Sequence, residues 1–386
     1  MKNNFYLQIE KLINTIDLKK INLKIIIKNS KKLLGVYNEL NKLWKQIDKN
    51  KIQYEIYPKS SNEYIHQIQI LNENFLSSNP IIKNIIEETK FIHRLNFDNI
   101  YFYWLSDKEE KNLLNPVYLL SNYMFKITLC LNLYKYKGYD NIERKIIWIP
   151  INKKRDFKYN KISKTNLKRT TENFEAFVAS GVTFGLESRV TIVTRYEEVE
   201  KLLIHELIHN YNIDGSDFHN QLTNILNEYK IVKNNNSGKY KNYHYEFSIY
   251  ESYTELLSTY FYLLFENIRI NKEISLNELI GQIVIELVYS YNLISNLIDI
   301  NGYDDYNNFR KQIFFSGKIC KYEYYYIKAL MYNNWELVYG SNLKDFEYIY
   351  TNIINMIKKN QNTDDTLMEE IYNNHITQTN YKYQIH

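Results

Sequence analysis

Residues that break helices are scarce in this chain, and their scarcity limits the folds open to it. The sequence of 386 residues contains only 10 Gly and 4 Pro. A chain of average composition and this length would contain about 46 of the two together. Because β-sandwiches and β-barrels need many turns, the sequence predicts long helices with a few strands, in a helix-rich α+β fold.

Composition places the chain among soluble globular proteins and excludes several other classes. Hydrophobic residues make up 45% and charged residues 24% of the sequence, which excludes disordered, collagenous and coiled-coil proteins. The only cysteines, Cys130 and Cys320, have neither disulfide-framework nor metal-site spacing. Two core thiols in a reducing compartment are therefore expected.

Neither secretion nor membrane insertion is expected. The first residues lack the continuous apolar region and the small-residue cleavage site of a signal peptide. The most apolar stretch, residues 279–300, contains Gln282 and Glu286, which is typical of a buried helix and not of a membrane span. We therefore expect an intracellular protein without a transmembrane segment.

Positive charge is concentrated at the start of the chain. Residues 1–60 contain 13 Lys and five acidic residues, a net charge of +8, whereas the remaining 36 Lys and Arg and 39 acidic residues give −3. No nucleic-acid-binding motif accompanies this charge, so it gives no strong signal for nucleic-acid binding. A solvated helical face is expected, with an interaction surface for nucleic acid or anionic lipid as the alternative.

The apolar periodicity divides the chain into two regions. Residues 1–78 form a basic N-terminal helical region, because apolar residues recur there at spacings of three and four. Pro80 marks the first break, and residues 79–386 form the second region. The second region has two parts. The part from about residue 90 to residue 213 is expected to hold a small sheet, with strand-like runs at 99–105, 145–151 and 189–194, and the HELIH helix, which contains residues 205–209. The part at 218–360 is mainly helical. Gly181 and Gly185 are expected to bracket a turn.

The sequence His205-Glu206-Leu207-Ile208-His209 carries the strongest chemical signal. On a helix, His205 and His209 lie one turn apart on the same face, so both imidazoles can reach one tetrahedral zinc ion. Glu206 can then take a proton from water in the open position of the metal. The alternative is a pair of core histidines with a salt-bridged glutamate.

The strand at 189–194 is expected to form a sheet edge that holds an extended peptide.

A third ligand is needed, and Glu251 is the leading candidate. Glu251 and Glu255 begin a polar stripe at helical spacing along an otherwise apolar helix. Glu251 as ligand, with Glu255 bonded to the far nitrogen of a ligand histidine, would complete the site. Glu255 itself is a weaker candidate for the third ligand.

The segment that follows the HELIH helix offers other candidates for the third ligand. Asp214, Asp217 and His219 follow His209 closely enough for one of them to bind the metal. The alternative, which we favour for this segment, is that its polar residues cap a following helix at 218–230.

The HELIH sequence followed by an ExxxE helix resembles the gluzincin metallopeptidases. The run at 180–218 is also similar to uncharacterised zincin-like proteins of large double-stranded DNA viruses. The resemblance spans residues 175–265, and Asn212 and Gly215 separate the chain from the metzincins. It implies a zincin-like catalytic domain that holds one Zn²⁺ per chain through His205, His209 and Glu251.

The expected function is zinc-dependent hydrolysis of peptide bonds in a peptide or protein substrate, with Glu206 as general base. The alternative is a zincin-derived binding or virion structural protein whose zinc is structural or absent. A fourth protein ligand would favour that alternative, whereas an open fourth position favours the enzyme. Tyr245 and Tyr324 are candidates to stabilise an oxyanion. For the expected intracellular, cytoplasmic protein, the viral resemblance implies the host cytoplasm or the virion.

Overall fold

The fold is described from a computed structural model. The described residues are 11–71, 80–109, 111–138, 141–151, 181–184, 189–194, 199–227, 249–300, 323–361 and 366–374.

Helices form most of the described chain, as the scarcity of Gly and Pro predicts. The helix at 116–136 begins as expected, with Pro116 in its first turn and the Asn115 side chain accepting a hydrogen bond from the Val117 backbone N–H. The helices are α1 (Leu23–Gln46), α2 (Asn62–Leu71), α3 (Pro80–Glu88), α4 (Pro116–Tyr136), α5 (Val199–Asn210), α6 (Thr223–Asn227), α7 (Ile249–Arg269), α8 (Leu276–Ile300), α9 (Glu323–Asn334), α10 (Leu343–Gln361) and α11 (Thr366–Asn374).

One mixed sheet of six strands lies among these helices, so the described chain is a helix-rich α+β structure. The spatial order of the strands is β1-β2-β3-β4-β6-β5. The central pairs β3–β4 and β4–β6 are parallel, and the other three pairs are antiparallel. The strands are β1 (Gln53–Pro58), β2 (Phe91–Phe97), β3 (Ile100–Ser106), β4 (Arg144–Ile149), β5 (Gly181–Phe184) and β6 (Val190–Thr194).

The three strand-like runs of the sequence correspond to β3, β4 and β6, but two expectations about the sheet were wrong. Gly181 begins strand β5 and does not bracket a turn. Strand β6 is not an edge, because it lies between β4 and β5. Of the described strands, the one at the sheet edge next to α5 is β5. Its only glycine is Gly181, which together with Gly185, outside the described residues, had indicated a turn.

Strands β1 and β2 were not anticipated. Strand β1 falls in the region where only helices were expected, and it pairs antiparallel with β2, so that Tyr54 lies opposite Leu95. Six residues that end in Pro58 are too few to separate a strand from a helix by periodicity alone. The division of the chain at residue 78 stays a prediction.

Alternate side chains of the central strands pack into two different apolar clusters. Phe102 and Trp148 join the large cluster formed with the long helices, whereas Leu105 and Ile147 join a smaller cluster with helices α2 and α3. The central strands are therefore covered on both faces, which explains their continuous apolar sequences.

Helix α1 packs into the large cluster through one face. Ile26, Leu33 and Leu40 are buried there together with residues of α4, α7, α8 and α9. The opposite face carries exposed lysines, and two of them, Lys28 and Lys32, form ion pairs with Glu336. The exposure of these lysines is what a solvated helical face predicts, and an interaction role for residues 1–60 stays a prediction.

No helix in the described ranges has both the length and the apolar character that crossing a bilayer requires. Helix α8, which contains the most apolar stretch, packs Leu279, Ile283 and Leu287 into the large cluster.

Two adjacent isoleucines test whether helix α1 belongs to the core. Ile26 is fully buried, whereas Ile27 is 36% exposed. Ile26→Ala should lower the free energy of unfolding by about 2–5 kcal/mol, because it leaves a cavity. Ile27→Ala, the same change one residue away, should alter it by less than about 0.5 kcal/mol. Denaturant unfolding measures both, and equal small effects would show that α1 is not part of the core.

Candidate metal centre

Helix α5 carries the HELIH sequence and is fixed at its C-terminal end by arginine. The buried guanidinium of Arg144 donates a hydrogen bond to the backbone carbonyl of Asn210 over 3.0 Å. It also lies 4.7 Å from the ring centre of Tyr211. A cation at this position satisfies an unpaired carbonyl and interacts favourably with the helix dipole.

Both histidines direct their Nε2 atoms at Glu251, which lies in the first turn of helix α7. The Nε2 atom of His205 is 3.2 Å from Oε2 of Glu251, and the Nε2 atom of His209 is 3.7 Å from the same oxygen. The spacing of four residues on α5 brings the two rings to a centroid distance of 5.0 Å. Three donor atoms from two helices therefore converge on one point.

The other nitrogen of each histidine meets a buried carboxylate. Nδ1 of His205 donates a hydrogen bond to Oε2 of Glu255 over 3.2 Å. Nδ1 of His209 is 2.6 Å from Oδ2 of Asp214. A carboxylate on Nδ1 fixes the orientation of an imidazole and strengthens Nε2 as a metal ligand.

Asp214 reaches His209 because the helix ends in a left-handed residue. Asn212 has φ of 52°, and the backbone N–H of Ile213 donates to the carbonyl of Ile208, as in a Schellman motif. This turn brings Asp214 back beneath the helix. Its Oδ2 accepts a hydrogen bond of 2.7 Å from Thr254 on α7, and its Oδ1 accepts one from the backbone N–H of Ser216.

The charges of the site stabilise one another. Burial alone would lower the pKa of His205, but the hydrogen bonds that His205 donates to Glu251 and Glu255 outweigh it and raise this pKa to about 9. For the same reason, Asp214 and Glu251 raise the pKa of His209 well above its usual value. Burial alone would raise the pKa of Glu251, but its hydrogen bonds to the histidines lower it.

Glu206 lies on the same helix but bonds to the sheet. Oγ1 of Thr183 on β5 donates to the Glu206 carboxylate, with a distance of 2.9 Å to Oε2, and is equally far from the Glu206 backbone carbonyl. Burial raises the pKa of the carboxyl, although the two histidines oppose this effect.

Gly181, at the start of β5, lies directly against this carboxylate. A Cβ atom at Gly181 would be 2.7 Å from both Cγ and Oε1 of Glu206. The absence of a side chain therefore lets the edge strand approach the Glu206 side chain.

The three converging donors fit a zinc ion. Two imidazole nitrogens and a carboxylate oxygen are a common set of protein ligands for zinc, and ligands of a tetrahedral zinc lie roughly 3.3 Å apart. His205, His209 and Glu251 offer ligand atoms that all lie within 4.8 Å of one another, and no fourth His, Cys, Asp or Glu joins them in the described ranges. Among the described residues, the Glu251 side chain is 40% exposed, so the described residues leave one side of this carboxylate accessible.

Other candidates lie elsewhere. Glu255 and Asp214 bond to the far side of the histidines and face away from the point of convergence, whereas His219 is exposed and Asp217 is half-buried. Tyr245 and the side chain of Tyr324 lie outside the described part of the chain. Their roles stay predictions.

Tyr250 was not anticipated from the sequence. Its ring stacks on His209 with a centroid distance of 5.3 Å, and its hydroxyl is 3.1 Å from Nδ1 of that histidine. The one feature of the sequence that could have indicated this contact is the position of Tyr250 directly before Glu251.

Comparison of the chain with known protein families, characterised proteins and solved structures gives no match. The geometry and chemistry of these residues therefore carry the functional proposal.

Adding a methyl group at Gly181 tests the close approach of the edge strand to Glu206. We expect Gly181→Ala to lower the free energy of unfolding by about 1–3 kcal/mol, because the new atom overlaps a buried carboxylate. The control is Gly281→Ala in helix α8, where an added Cβ has no atom within 4 Å. That change should be neutral or stabilising, by up to about 1 kcal/mol. Equal effects in denaturant unfolding would contradict the close approach.

Proposed function

We propose that this protein is a zinc-dependent metallopeptidase. The observation that carries the proposal is the convergence of Nε2 of His205, Nε2 of His209 and Oε2 of Glu251 on one point. A second carboxylate, that of Glu206, lies on helix α5 with the two histidines but is held by the edge strand. Three protein ligands, an open position and a separate carboxylate are typical of hydrolytic zinc sites.

Each residue of the site would have its own part in hydrolysis. A zinc ion held by the three ligands would supply a Lewis acid that activates water and polarises the scissile carbonyl. The Glu206 carboxylate accepts the proton of the attacking water and then gives it to the leaving amine. Thr183 holds one oxygen of this carboxylate in a fixed direction, so the other is oriented as well.

The edge strand supports a peptide as substrate. Within the described part of the sheet, β5 pairs only with β6. The other side of β5 therefore presents backbone groups to which an extended peptide can add as a further strand. Gly181 places this edge next to Glu206, so a peptide bound there would pass close to the proton acceptor.

The position of Asp214 bears on the alternative of a non-catalytic scaffold. A fourth protein ligand would close the metal site and favour that alternative. Asp214 was one candidate for such a ligand, but its carboxylate is bonded to Nδ1 of His209, Thr254 and Ser216. This arrangement supports the proposal of an enzyme.

Two glutamine substitutions test the proposal, because Glu206 and Glu251 have different parts in it. Glu206→Gln cannot accept a proton, so peptide hydrolysis should fall by a factor of about 10²–10⁴ while the zinc content stays near one per chain. Glu251→Gln removes an anionic ligand, so zinc affinity and activity should fall together. Metal analysis, chelator competition and cleavage of a peptide library measure these effects.

Substitutions in the turn after helix α5 provide the controls. His219→Ala should leave zinc affinity unchanged, because the side chain is exposed and lies outside the group of ligands. Asp214→Asn should weaken zinc binding by only about 10–100-fold, as expected for a partner of a ligand.

The ligand assignment is wrong if Glu251→Gln binds zinc as tightly as the parent. If the parent binds zinc but cuts no peptide, the scaffold alternative is correct.

A further inference from the structure

Glu255 is the centre of a buried charged cluster that extends away from the metal ligands. Its side chain is 7% exposed and lies on helix α7. Lys201 on helix α5 and Lys328 on helix α9 both direct their ammonium groups at it. Lys328 is itself 2% exposed, so two cations and one anion meet in the interior among three helices.

The two oxygens of this carboxylate have different partners. Both lysines bind Oε1, with Nζ of Lys201 at 2.5 Å and Nζ of Lys328 at 3.4 Å. Oε2 accepts the hydrogen bond from Nδ1 of His205. Because both ammonium groups hold one oxygen, the carboxylate cannot rotate freely, and Oε2 stays directed at the histidine.

Stability alone does not explain this cluster. Buried ion pairs often contribute no more than apolar residues of similar size, because desolvation offsets their attraction. Burial and the neighbouring Lys201 lower the pKa of Lys328 to about 8, against the opposing effect of Glu255 and Glu286. Lys328 therefore remains in the interior at an energetic cost, and its contact with Glu255 connects it to the metal site.

We propose that Lys328 and Lys201 are positioning residues of the metal centre, which hold Glu255 so that His205 presents Nε2 to the metal. The inference rests on the proposed zinc site and extends it to helix α9, more than 70 residues beyond Glu255 in sequence. Neither lysine touches the point of convergence, so both act through Glu255. Through Lys328 and Glu255, helix α9, which lies far along the chain from the HELIH sequence, acts indirectly on metal affinity.

The test compares zinc affinity, measured by chelator competition, in the full-length parent and in lysine variants. Lys328→Met should weaken zinc binding about 10-fold, within the range known for partners of ligands. The matched control is Lys126→Met, since Lys126 is also buried but lies over the ring of Trp44. This control should bind zinc as the parent does. Lys201→Met provides a second variant if Lys328→Met does not fold.

A double-mutant cycle separates positioning from a general structural effect. In a Glu255→Gln background, Lys328→Met should have little further effect on zinc affinity, because the group it acts through has been changed. Unchanged affinity in the single lysine variants, or an equal loss in both backgrounds, would overturn the inference while leaving the zinc site intact. If the parent itself bound no zinc, the proposed function would fail and the inference with it.

Discussion

The site depends on the cost of burying charge. Helices α5 and α7 meet through two imidazoles and several carboxylates, and each such group would destabilise the interior if it were left without a partner. The structure meets this requirement by giving each histidine two acidic neighbours: Glu251 on Nε2 of both, Glu255 on Nδ1 of His205 and Asp214 on Nδ1 of His209. The same bonds leave three donor atoms aimed at one point.

Local periodicity in the sequence was sufficient to predict the centre of this site. The spacing of His205 and His209 places both on one helix face, and Glu251 and Glu255 share a stripe on a second apolar helix. The structure places all four together, with Glu255 on the far nitrogen of His205 as expected. Such signals survive in the sequence because they repeat with the period of the helix.

Contacts that depend on the tertiary fold could not be predicted in the same way. Asp214 was considered as a ligand because it follows His209 closely in sequence. The turn at Asn212 directs it instead to the far side of His209, and that turn depends on backbone conformation, which the sequence pattern does not show. Gly181 resembled a turn residue, although it lets an edge strand approach a carboxylate. Lys328 lies on a distant helix, and no sequence pattern connects it with Glu255.

The most direct test of the account is to locate the metal. Anomalous diffraction on either side of the zinc absorption edge, from crystals of the zinc-loaded protein, gives its position independently of activity. We expect one peak, about 2.0–2.2 Å from Nε2 of His205, Nε2 of His209 and a carboxylate oxygen of Glu251. A peak bound by Asp214 or His219 in place of Glu251, or no peak beside helix α5, would contradict the account.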